Sequence, residues 1–273
     1  MGPSAAETID WPGLFRRAAA GAQRALERSP DLTATAGPGA GGDVSLAIDR
    51  AVEDVVFAEL EELGTGLTAI SEERGEVHLR GGGPVHVVID PIDGSRNAAR
   101  GSRTFSLSIA VADGPRMRHV RHAYVRDLGG GEEFSAERGR GARLDGRELP
   151  RFPAREALEI VGIESADPRL VAAHSAALVD SGARRVRGLG SVALSLCHVA
   201  AGRFDGAVCL APTRSVDCAA GQLIVLEAGG AVAFPEAEGG PDDAALALDM
   251  RSRVVAVSQP SLLGRLTPVG AVG

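Results

Sequence analysis

The sequence predicts a layered α/β fold, an α+β sandwich in which helices cover β-sheets. Segments with helical periodicity alternate with short segments rich in β-branched residues, as at residues 11–28 and 67–70. Glycine and proline punctuate the chain, as in the Gly-Gly-Gly-Pro that precedes the strand-like sequence VHVVI at residues 85–89. At 273 residues the chain can form one large core or two subdomains, and no apolar run approaches the roughly 20 residues of a membrane span.

The first half of the chain is predicted to contain two helices followed by strands. Asp10 caps the first helix, at residues 11–28, and the second helix, at residues 45–63, has an apolar face. Residues 32–42, between the helices, are rich in glycine, proline and threonine and are predicted to form a mobile loop. The strands that follow are predicted at residues 67–70, 85–89, 105–111, 122–125 and 132–136.

The second half is predicted to follow a crossing segment at residues 146–155, which divides the chain into subdomains 1–150 and 151–273. Two edge strands are expected near its end, at residues 231–234 and 254–257. The other elements of this half are strands at residues 158–163, near 186 and at 204–210, and helices at residues 168–181, at 192–201 and from 217 onward.

Composition and charge exclude several classes of function. The net charge of −7 argues against nucleic acid or an anionic membrane as a partner. Every one of the 29 Lys+Arg cations is arginine, so lysine nucleophiles and the Walker A phosphate site are excluded. The three cysteines have no CxxC spacing, and the N-terminus lacks the features of a signal peptide. We therefore expect a cytoplasmic protein with reduced thiols.

Two carboxylates and a hydroxyl directly follow the strand predicted at residues 85–89. Asp90 comes at the carboxyl end of that strand, and Pro91 is expected to end its hydrogen-bonded ladder. Asp93, Gly94 and Ser95 predict a tight turn into a short helix, whose first N–H groups favour an anion. Carboxylates suit a hard divalent cation and backbone donors suit a phosphate, so the pattern indicates metal-assisted phosphoryl chemistry.

Two further acidic segments strengthen this interpretation. Glu72 and Glu73 follow the strand predicted at residues 67–70. Asp217 opens an apolar helical segment and is predicted to lie at its cap or in its first turn. Because Asp-Pro and Asp-Gly are ordinary turn formers and Asp217 alone would be a simple cap, the interpretation depends on all three segments together.

In order along the chain, these segments resemble the motifs of the inositol monophosphatase family, Mg²⁺-dependent phosphatases related to fructose-1,6-bisphosphatase. The matching segments are SEE at 71–73, DPIDGSRN at 90–97, DCAAGQLIVLEAGG at 217–230, GDVSLAID at 42–49 and AERGRGARLDG at 136–146. The resemblance covers nearly the whole chain and is nearest to the archaeal-type branch, which includes enzymes for both inositol monophosphate and fructose 1,6-bisphosphate. It implies an αβαβα fold with two subdomains, the first carrying most acidic motifs, and a homodimer.

The resemblance also implies a metal site with two or three Mg²⁺ ions. Glu72, Asp90 and the carbonyl oxygen of Ile92 would hold the first ion. Asp90, Asp93 and Asp217 would hold the second ion, with Asp90 bridging the two.

The catalytic residues implied by the resemblance are Asp49, Glu72 and Ser95. The hydroxyl of Ser95, hydrogen-bonded to Asp49, would orient the attacking water and help to deprotonate it. Hydrolysis would then be direct, with no covalent intermediate.

Substrate contacts are expected on both sides of this centre. Asp93 and the N–H groups of Gly94 and Ser95 would face the phosphate, and Gly190 and Ser191 match the family's substrate-side Gly-[Ser/Thr]. Three arginines are candidates for a second phosphate or a sugar oxygen, because a guanidinium binds such groups with two hydrogen bonds: Arg185, Arg187 and Arg214.

Departures from the family pattern leave the substrate open. Near Cys209 and Leu210, where inositol-specific members carry a glutamate, this chain has no carboxylate. The loss of such a contact relaxes discrimination. Inositol monophosphate and fructose 1,6-bisphosphate therefore compete as substrates, ahead of 3′-phosphonucleotides and histidinol phosphate.

Two hypotheses from other classes stand beside a phosphatase. The first is a catalytically silent regulator that binds metal or phosphate on the same fold, against which the complete set of acidic residues argues. The second is a structural Ca²⁺-binding module, which the absence of an EF-type loop disfavours.

Overall fold

A computed structural model describes residues 9–41, 44–150, 157–165, 167–238, 240 and 243–271. Its helices are α1 (Trp11–Arg28), α2 (Ala47–Glu62), α3 (Ser95–Ala99), α4 (Pro168–Asp180), α5 (Val192–Ala200), α6 (Ser215–Glu227) and α7 (Leu263–Gly270). The strands before residue 150 are β1 (Thr35–Pro38), β2 (Val44–Leu46), β3 (Leu67–Ser71), β4 (Gly75–Leu79), β5 (His86–Asp93), β6 (Ser106–Ala112), β7 (Val120–Asp127), β8 (Glu133–Glu137), β9 (Ala142–Leu144) and β10 (Arg147–Glu148). The later strands are β11 (Ile160–Glu164), β12 (Arg185–Arg187), β13 (Gly206–Cys209), β14 (Ala231–Ala233) and β15 (Val255–Val257).

These elements form five layers around two large sheets. An eight-stranded sheet has the order β10-β9-β8-β7-β6-β5-β3-β4, and a five-stranded sheet has the order β12-β11-β13-β15-β14. Helices α1 and α2 pack on the outer face of the first sheet, α5 and α6 lie between the sheets, and α4 and α7 cover the second sheet. The predicted α/β layered fold is thus confirmed as an αβαβα arrangement.

Side-chain alternation along β5 shows how the sequence builds these layers. Val87 and Ile89 belong to the core beneath α1 and α2, whereas Val88 belongs to the core shared with α5 and α6. A strand buried on both faces must be apolar at successive positions, which explains the VHVVI pattern. The central core joins strands from both sides of residue 150, and the division into two subdomains stays a prediction.

Pro91 was expected to end the hydrogen-bonded ladder of strand β5, but this prediction is wrong. The strand continues to Asp93 through a bulge, since Asp90 pairs with Ser108 and Asp93 pairs with Ser106. Three steps along β5 therefore match two along β6, and the missing N–H of proline falls where the ladder is interrupted. The bulge directs the carboxylates of this segment toward the end of the sheet.

The predicted loop at residues 32–42 is also partly wrong. Thr35–Pro38 forms β1, which pairs antiparallel with β2. The helix predicted from residue 45 consequently begins at Ala47. Backbone hydrogen bonds from Ala40 to the Glu73 carbonyl (3.1 Å) and from Gly41 to the Glu72 carbonyl (2.8 Å) attach this ribbon to the end of β3.

Three further differences concern the edges of the sheets. No element was predicted between the strands at residues 67–70 and 85–89, but Gly75–Leu79 forms strand β4, which lies antiparallel to β3. Val255–Val257 was expected at an edge but lies between β13 and β14, because both of its neighbours pair with it. Helix α7 was not predicted, since Pro268 within it disguises its helical pattern.

Candidate active site

The parallel pairing of β3 and β5 brings the first two acidic segments together. Their carboxyl ends lie at the same edge of the sheet, and the Glu72 N–H continues the pairing to the Ile89 carbonyl at 3.3 Å. Helix α6 begins nearby at Ser215 and places Asp217 in its first turn, as the sequence predicted. Three segments that are distant in the sequence therefore meet at one edge.

They line a cavity of about 1080 Å³ between the sheet end and the second half of the chain. Nine of the predicted catalytic, metal-binding and substrate-binding residues line it: Asp49, Glu72, Asp90, Ile92, Asp93, Gly94, Ser95, Gly190 and Arg214. Asp217 and Ser191 lie directly behind this lining, where Asp217 contacts Arg214 and Ser191 contacts Asp93.

Arg185 and Arg187 are not brought to the cavity. Both are exposed on the edge strand β12, and Arg185 forms an ion pair with Glu159 at 3.1 Å. The structure thus separates these two predicted substrate contacts from Arg214. Their predicted contact with the substrate would require a movement of strand β12 toward the cavity.

Two glycines allow the walls of the cavity to approach each other. Gly94 has φ +93° and precedes α3, and a Cβ atom there would lie 2.9 Å from the Gly190 carbonyl oxygen. Gly190 has φ +76°, and a Cβ atom there would lie 2.7 Å from the Asn97 amide nitrogen. Both positions combine a left-handed conformation with close packing, so glycine is required. The same Asn97 nitrogen donates to the Thr104 carbonyl (2.8 Å) and the Leu189 carbonyl (2.7 Å), which ties the walls together.

Asp93 links the sheet to helix α5. Its Oδ2 accepts hydrogen bonds from Ser191 Oγ at 2.5 Å and from the Ala193 N–H at 2.7 Å. Ser191 is the N-cap of that helix, so the carboxylate of Asp93 satisfies an N–H of the first turn. Ser191, predicted as a substrate contact, here positions a predicted metal ligand.

Asp217 is held within its own helix start. Its Oδ2 accepts hydrogen bonds from Thr213 Oγ1 at 2.5 Å and from the Arg214 N–H at 2.9 Å. Its Oδ1 lies 3.1 Å from Arg214 Nη2, and the same nitrogen lies 2.6 Å from Glu72 Oε1. The guanidinium therefore joins the carboxylates of β3 and α6.

The segment that carries Glu72 is fixed from below by Glu53 of α2, which sequence reasoning missed. Buried Glu53 accepts hydrogen bonds from Ser71 Oγ and from the N–H groups of Glu73 (3.3 Å) and Arg74 (3.2 Å). Its other oxygen pairs with Arg74 Nε at 3.1 Å. The turn after β3 is thus locked to the helix layer, and Glu72 projects from a rigid support.

Burial makes the deepest carboxyls hard to ionise. For Asp90, burial raises the pKa well above its usual value, and the charges of Glu72, Asp93 and Asp217 add to the effect. Burial and the charge of Asp217 raise the pKa of Asp93 to about 8, despite its hydrogen bonds from α5. Such groups favour an added cation, because it offsets both burial and mutual repulsion.

Glu72 and Asp49 show the same tendency at the other side of the cavity. Burial raises the pKa of Glu72, although Arg214 counteracts the shift. Burial raises the pKa of Asp49 to about 7, opposed by a hydrogen bond from the Leu46 N–H at 3.0 Å. The predicted Ser95–Asp49 hydrogen bond is not formed among the residues that the structure describes, although both side chains line the cavity.

The residues present fit a divalent metal ion. Asp90 Oδ1 is fully buried and has no hydrogen-bond partner within the described part of the chain, which is costly unless a cation compensates. Over those same residues, no three carboxylate, imidazole or thiol groups already surround one point. Arg214 lies between two of the expected ligands, Glu72 and Asp217. The carboxylate oxygens of these two residues would therefore have to move closer together to bind an ion.

Three charged residues at the cavity were not recognised in the sequence. Arg96 and Arg100 are exposed side chains one helical turn apart that line the mouth. Buried Glu164, at the end of β11, accepts hydrogen bonds from the N–H groups of Leu189 (3.0 Å) and Gly190 (2.9 Å). Its position after a strand is the same signal that identified Glu72.

Comparison with known proteins places this fold and site in a class. The sequence profile of the inositol monophosphatase family matches residues 14–269. The chain belongs to that family and is a phosphatase, which confirms the resemblance seen in the motifs. No helix within the described ranges is long and apolar enough to cross a membrane.

Among individual relatives, the fructose-1,6-bisphosphatase/inositol-1-monophosphatase of Methanothermobacter thermautotrophicus is 32% identical over 268 residues, which covers 92% of this chain and 93% of that protein. The Nus factor SuhB of Pseudomonas aeruginosa is 37% identical over 202 residues, 70% of this chain and 72% of that protein. The solved inositol monophosphatase from Anabaena (Nostoc) sp. PCC 7120 has a TM-score of 0.74 at 23% identity and covers 96% of this chain and 95% of its own. The structural likeness supports the fold.

Proposed function

We propose that this phosphatase is a Mg²⁺-dependent phosphomonoesterase that hydrolyses a small sugar or inositol phosphate. One observation carries the proposal: carboxylates from the end of β3, from β5 and from α6 lie in or directly behind the lining of one cavity, and Asp90 Oδ1 there has no partner among the described residues. An acidic cavity of this kind repels an anionic substrate unless it also holds cations.

The proposed metal ligands follow the motifs. Glu72, Asp90 and the Ile92 carbonyl would hold one ion, and Asp90, Asp93 and Asp217 would hold a second, with two or three ions in all. When bound, the ions would supply positive charge that stabilises the phosphate and favours ionisation of water.

The remaining residues bind the substrate and move the proton. Backbone N–H groups of Gly94 and Ser95, directly after the bulged end of β5, would donate hydrogen bonds to phosphate oxygens. Ser95 Oγ would orient the attacking water, and Asp49 Oδ1, which has no partner among the described groups, would accept the proton that the hydroxyl passes on. Glu72 would fix the position of that water.

A bisphosphate such as fructose 1,6-bisphosphate is the second candidate substrate. Arg96 and Arg100 line the mouth of the cavity beside the proposed phosphate site, and a guanidinium suits a second phosphate. The name of the Methanothermobacter relative includes both activities.

The test measures Mg²⁺-dependent phosphate release from inositol 1-phosphate, fructose 1,6-bisphosphate and an adenosine 3′,5′-bisphosphate. We expect release from one of the first two, its loss on Asp217→Asn, and full activity in a control, Asp113→Asn, whose carboxylate pairs with Arg121 outside the cavity. Metal binding without release from any of the three would favour a silent regulator.

The proposed assembly is a cytoplasmic homodimer without nucleic acid or membrane partners. Light scattering should give twice the 28.0 kDa mass of one chain. The mass of one chain alone would contradict the dimer.

A further inference from the structure

Arg214 is a cation already placed among the proposed metal ligands. Its Nη2 lies 2.6 Å from Glu72 Oε1 and 3.1 Å from Asp217 Oδ1, and its side chain is only 16% exposed. These two carboxylates come from the end of β3 and from the first turn of α6. The guanidinium therefore spans the two sides of the cluster.

The contacts of Asp217 show that the guanidinium and a metal ion need the same atom. Its Oδ2 is occupied by Thr213 Oγ1 and by the Arg214 N–H, both of which fix the start of α6. Only Oδ1 is left for a strong external ligand, and Arg214 Nη2 is bonded to it. The same nitrogen makes its shorter contact, 2.6 Å, to Glu72 Oε1. A metal ion that approaches either oxygen meets the positive guanidinium there and has to displace it.

The surroundings of Arg214 allow its side chain to move toward the cavity. The β1–β2 ribbon covers one side of Arg214, because a Cβ atom on Gly41 would lie 2.5 Å from Nη1. Arg214 also lines the cavity, which offers its side chain open space. Its backbone N–H stays fixed to Asp217 Oδ2, so only the flexible side chain needs to turn.

We propose that Arg214 is an internal counter-cation that competes with metal ions for Glu72 and Asp217 and thereby sets the metal affinity of the enzyme. This inference rests on the proposed metal-dependent function. When Glu72 and Asp217 bind a metal ion, the guanidinium of Arg214 turns into the cavity and faces the anionic substrate. Glu72 and Asp217 would therefore face a cation in both states, the singly charged guanidinium in one and the doubly charged metal ion in the other.

Competition predicts that removing the guanidinium strengthens metal binding. Titration calorimetry with Mg²⁺ should give a Kd about ten-fold lower for Arg214→Gln than for the wild type, since a buried charge-assisted contact no longer has to be broken. Arg214→Lys should be intermediate, because a compact ammonium group cannot bridge two carboxylates with the same geometry. In EDTA, Arg214→Gln should unfold at a lower temperature than the wild type, and Mg²⁺ should restore it.

Arg253→Gln is the matched control. The Arg253 side chain is 12% exposed and pairs with Glu236, outside the cavity. Its loss should lower the unfolding temperature equally with and without Mg²⁺ and leave the Kd for Mg²⁺ unchanged. A general effect of losing a buried arginine is thereby separated from competition.

Equal or weaker Mg²⁺ binding by Arg214→Gln would overturn the inference, because the guanidinium would then be neutral toward the ion or would support it. If that variant does not fold, a Kd for Arg214→Lys no lower than that of the wild type has the same meaning. Mg²⁺-dependent phosphate release by the wild type, together with an unchanged Kd in the variants, would sink the inference alone. Absence of Mg²⁺ binding in the wild type would remove both the inference and the proposed function.

Discussion

Glu72 and Asp90 reach the cavity at the ends of two parallel strands, whereas Asp217 reaches it in the first turn of a helix. The sheet positions both strand-end carboxylates through their backbone. Asp90 Oδ1 consequently has no hydrogen-bond partner among the described residues, and Glu72 Oε1 contacts only the mobile end of the Arg214 side chain, at 2.6 Å. Asp217 is positioned by its own hydrogen bonds from Thr213 and Arg214. In the sheet, the backbone holds the carboxylate in place and its oxygens remain available for a metal ion. In the helix, the carboxylate oxygens themselves make the hydrogen bonds that hold Asp217 in place.

Replacing one carboxylate of each kind should show the difference between the strand-end and helix positions most clearly. Asp90→Asn and Asp217→Asn should each reduce kcat/KM by about a thousand-fold, since each removes a proposed metal ligand. In EDTA, however, Asp90→Asn should raise the unfolding temperature, because an amide does not have to take up a proton in order to be buried without charge. Asp217→Asn should lower it, because an amide accepts fewer of the capping bonds. Phosphate assays and thermal unfolding measure the two effects.

Asp113→Asn serves as the control for both variants, since its carboxylate pairs with Arg121 away from the cavity. It should leave activity unchanged and shift the unfolding temperature only slightly. Equal signs of the stability change in Asp90→Asn and Asp217→Asn would contradict the distinction between sheet and helix.

The contact between the two walls can be tested at Gly94. Gly94→Ala should lower the free energy of unfolding by about 3 kcal/mol, because φ is +93° and the new Cβ would meet the Gly190 carbonyl oxygen at 2.9 Å. Gly101→Ala is the control, with φ +71° and open space around it, and should cost about 1 kcal/mol. Urea unfolding measures both, and an equal loss would show that the walls can separate without strain.

Asp93 sharpens the comparison, because it is a strand-end carboxylate held by a helix of the other half. Ser191→Ala removes its 2.5 Å hydrogen bond and should weaken Mg²⁺ binding about ten-fold, as the loss of an outer-shell partner of a ligand generally does. Ser175→Ala, which removes an exposed hydroxyl bonded to the Ala172 carbonyl within α4, should leave it unchanged. Calorimetry that shows no difference would mean that the α5 backbone alone positions Asp93.

The smallest expected effect is a pH dependence. Burial raises the pKa of Asp49 to about 7 and that of Asp93 to about 8, above the usual 3.8. In this window the folded chain keeps protons that the unfolded chain has released, so the metal-free protein should lose stability as the pH rises from about 4 to about 8. A shift of a few degrees in unfolding temperature is expected in EDTA.

The stabilisation by Mg²⁺ should depend on pH in the opposite direction, because a bound cation favours the ionised carboxylates. The gain in unfolding temperature on adding Mg²⁺ should therefore grow as the pH rises. A gain that is constant from acid to neutral pH would show that these carboxyls do not take part in metal binding.

Two carboxylates of the proposed site could be predicted from sequence because they follow apolar segments whose ends are easy to recognise. Asp90 comes after a β-branched run, and Glu72 after a similar one. Glu164 follows the strand predicted at residues 158–163 in the same way and could have been found by the same signal. The bulge at Pro91 was missed, since a local proline rule carries no information about register with β6.

The roles of the arginines could not be predicted, because they depend on contacts between distant segments. Arg214 and Glu72 are far apart in the sequence and meet only through the layered fold. Arg96 and Arg100 have the spacing of an ordinary exposed helix face, and Arg185 and Arg187 gave no sign that their strand lies at a sheet edge. Each resembles a solvated surface arginine until the sheets are assembled.

The hydrogen bond from the Ala193 N–H to Asp93 Oδ2 gives the protein a spectroscopic reporter. This amide is buried at the start of α5, in the layer between the two sheets, and its acceptor is a proposed metal ligand. Because an amide proton responds to the charge of the oxygen that accepts it, the Ala193 resonance should move when a cation shares that carboxylate. Nuclear magnetic resonance of this single amide would follow events in the cavity without any substrate and without any added label in the cavity.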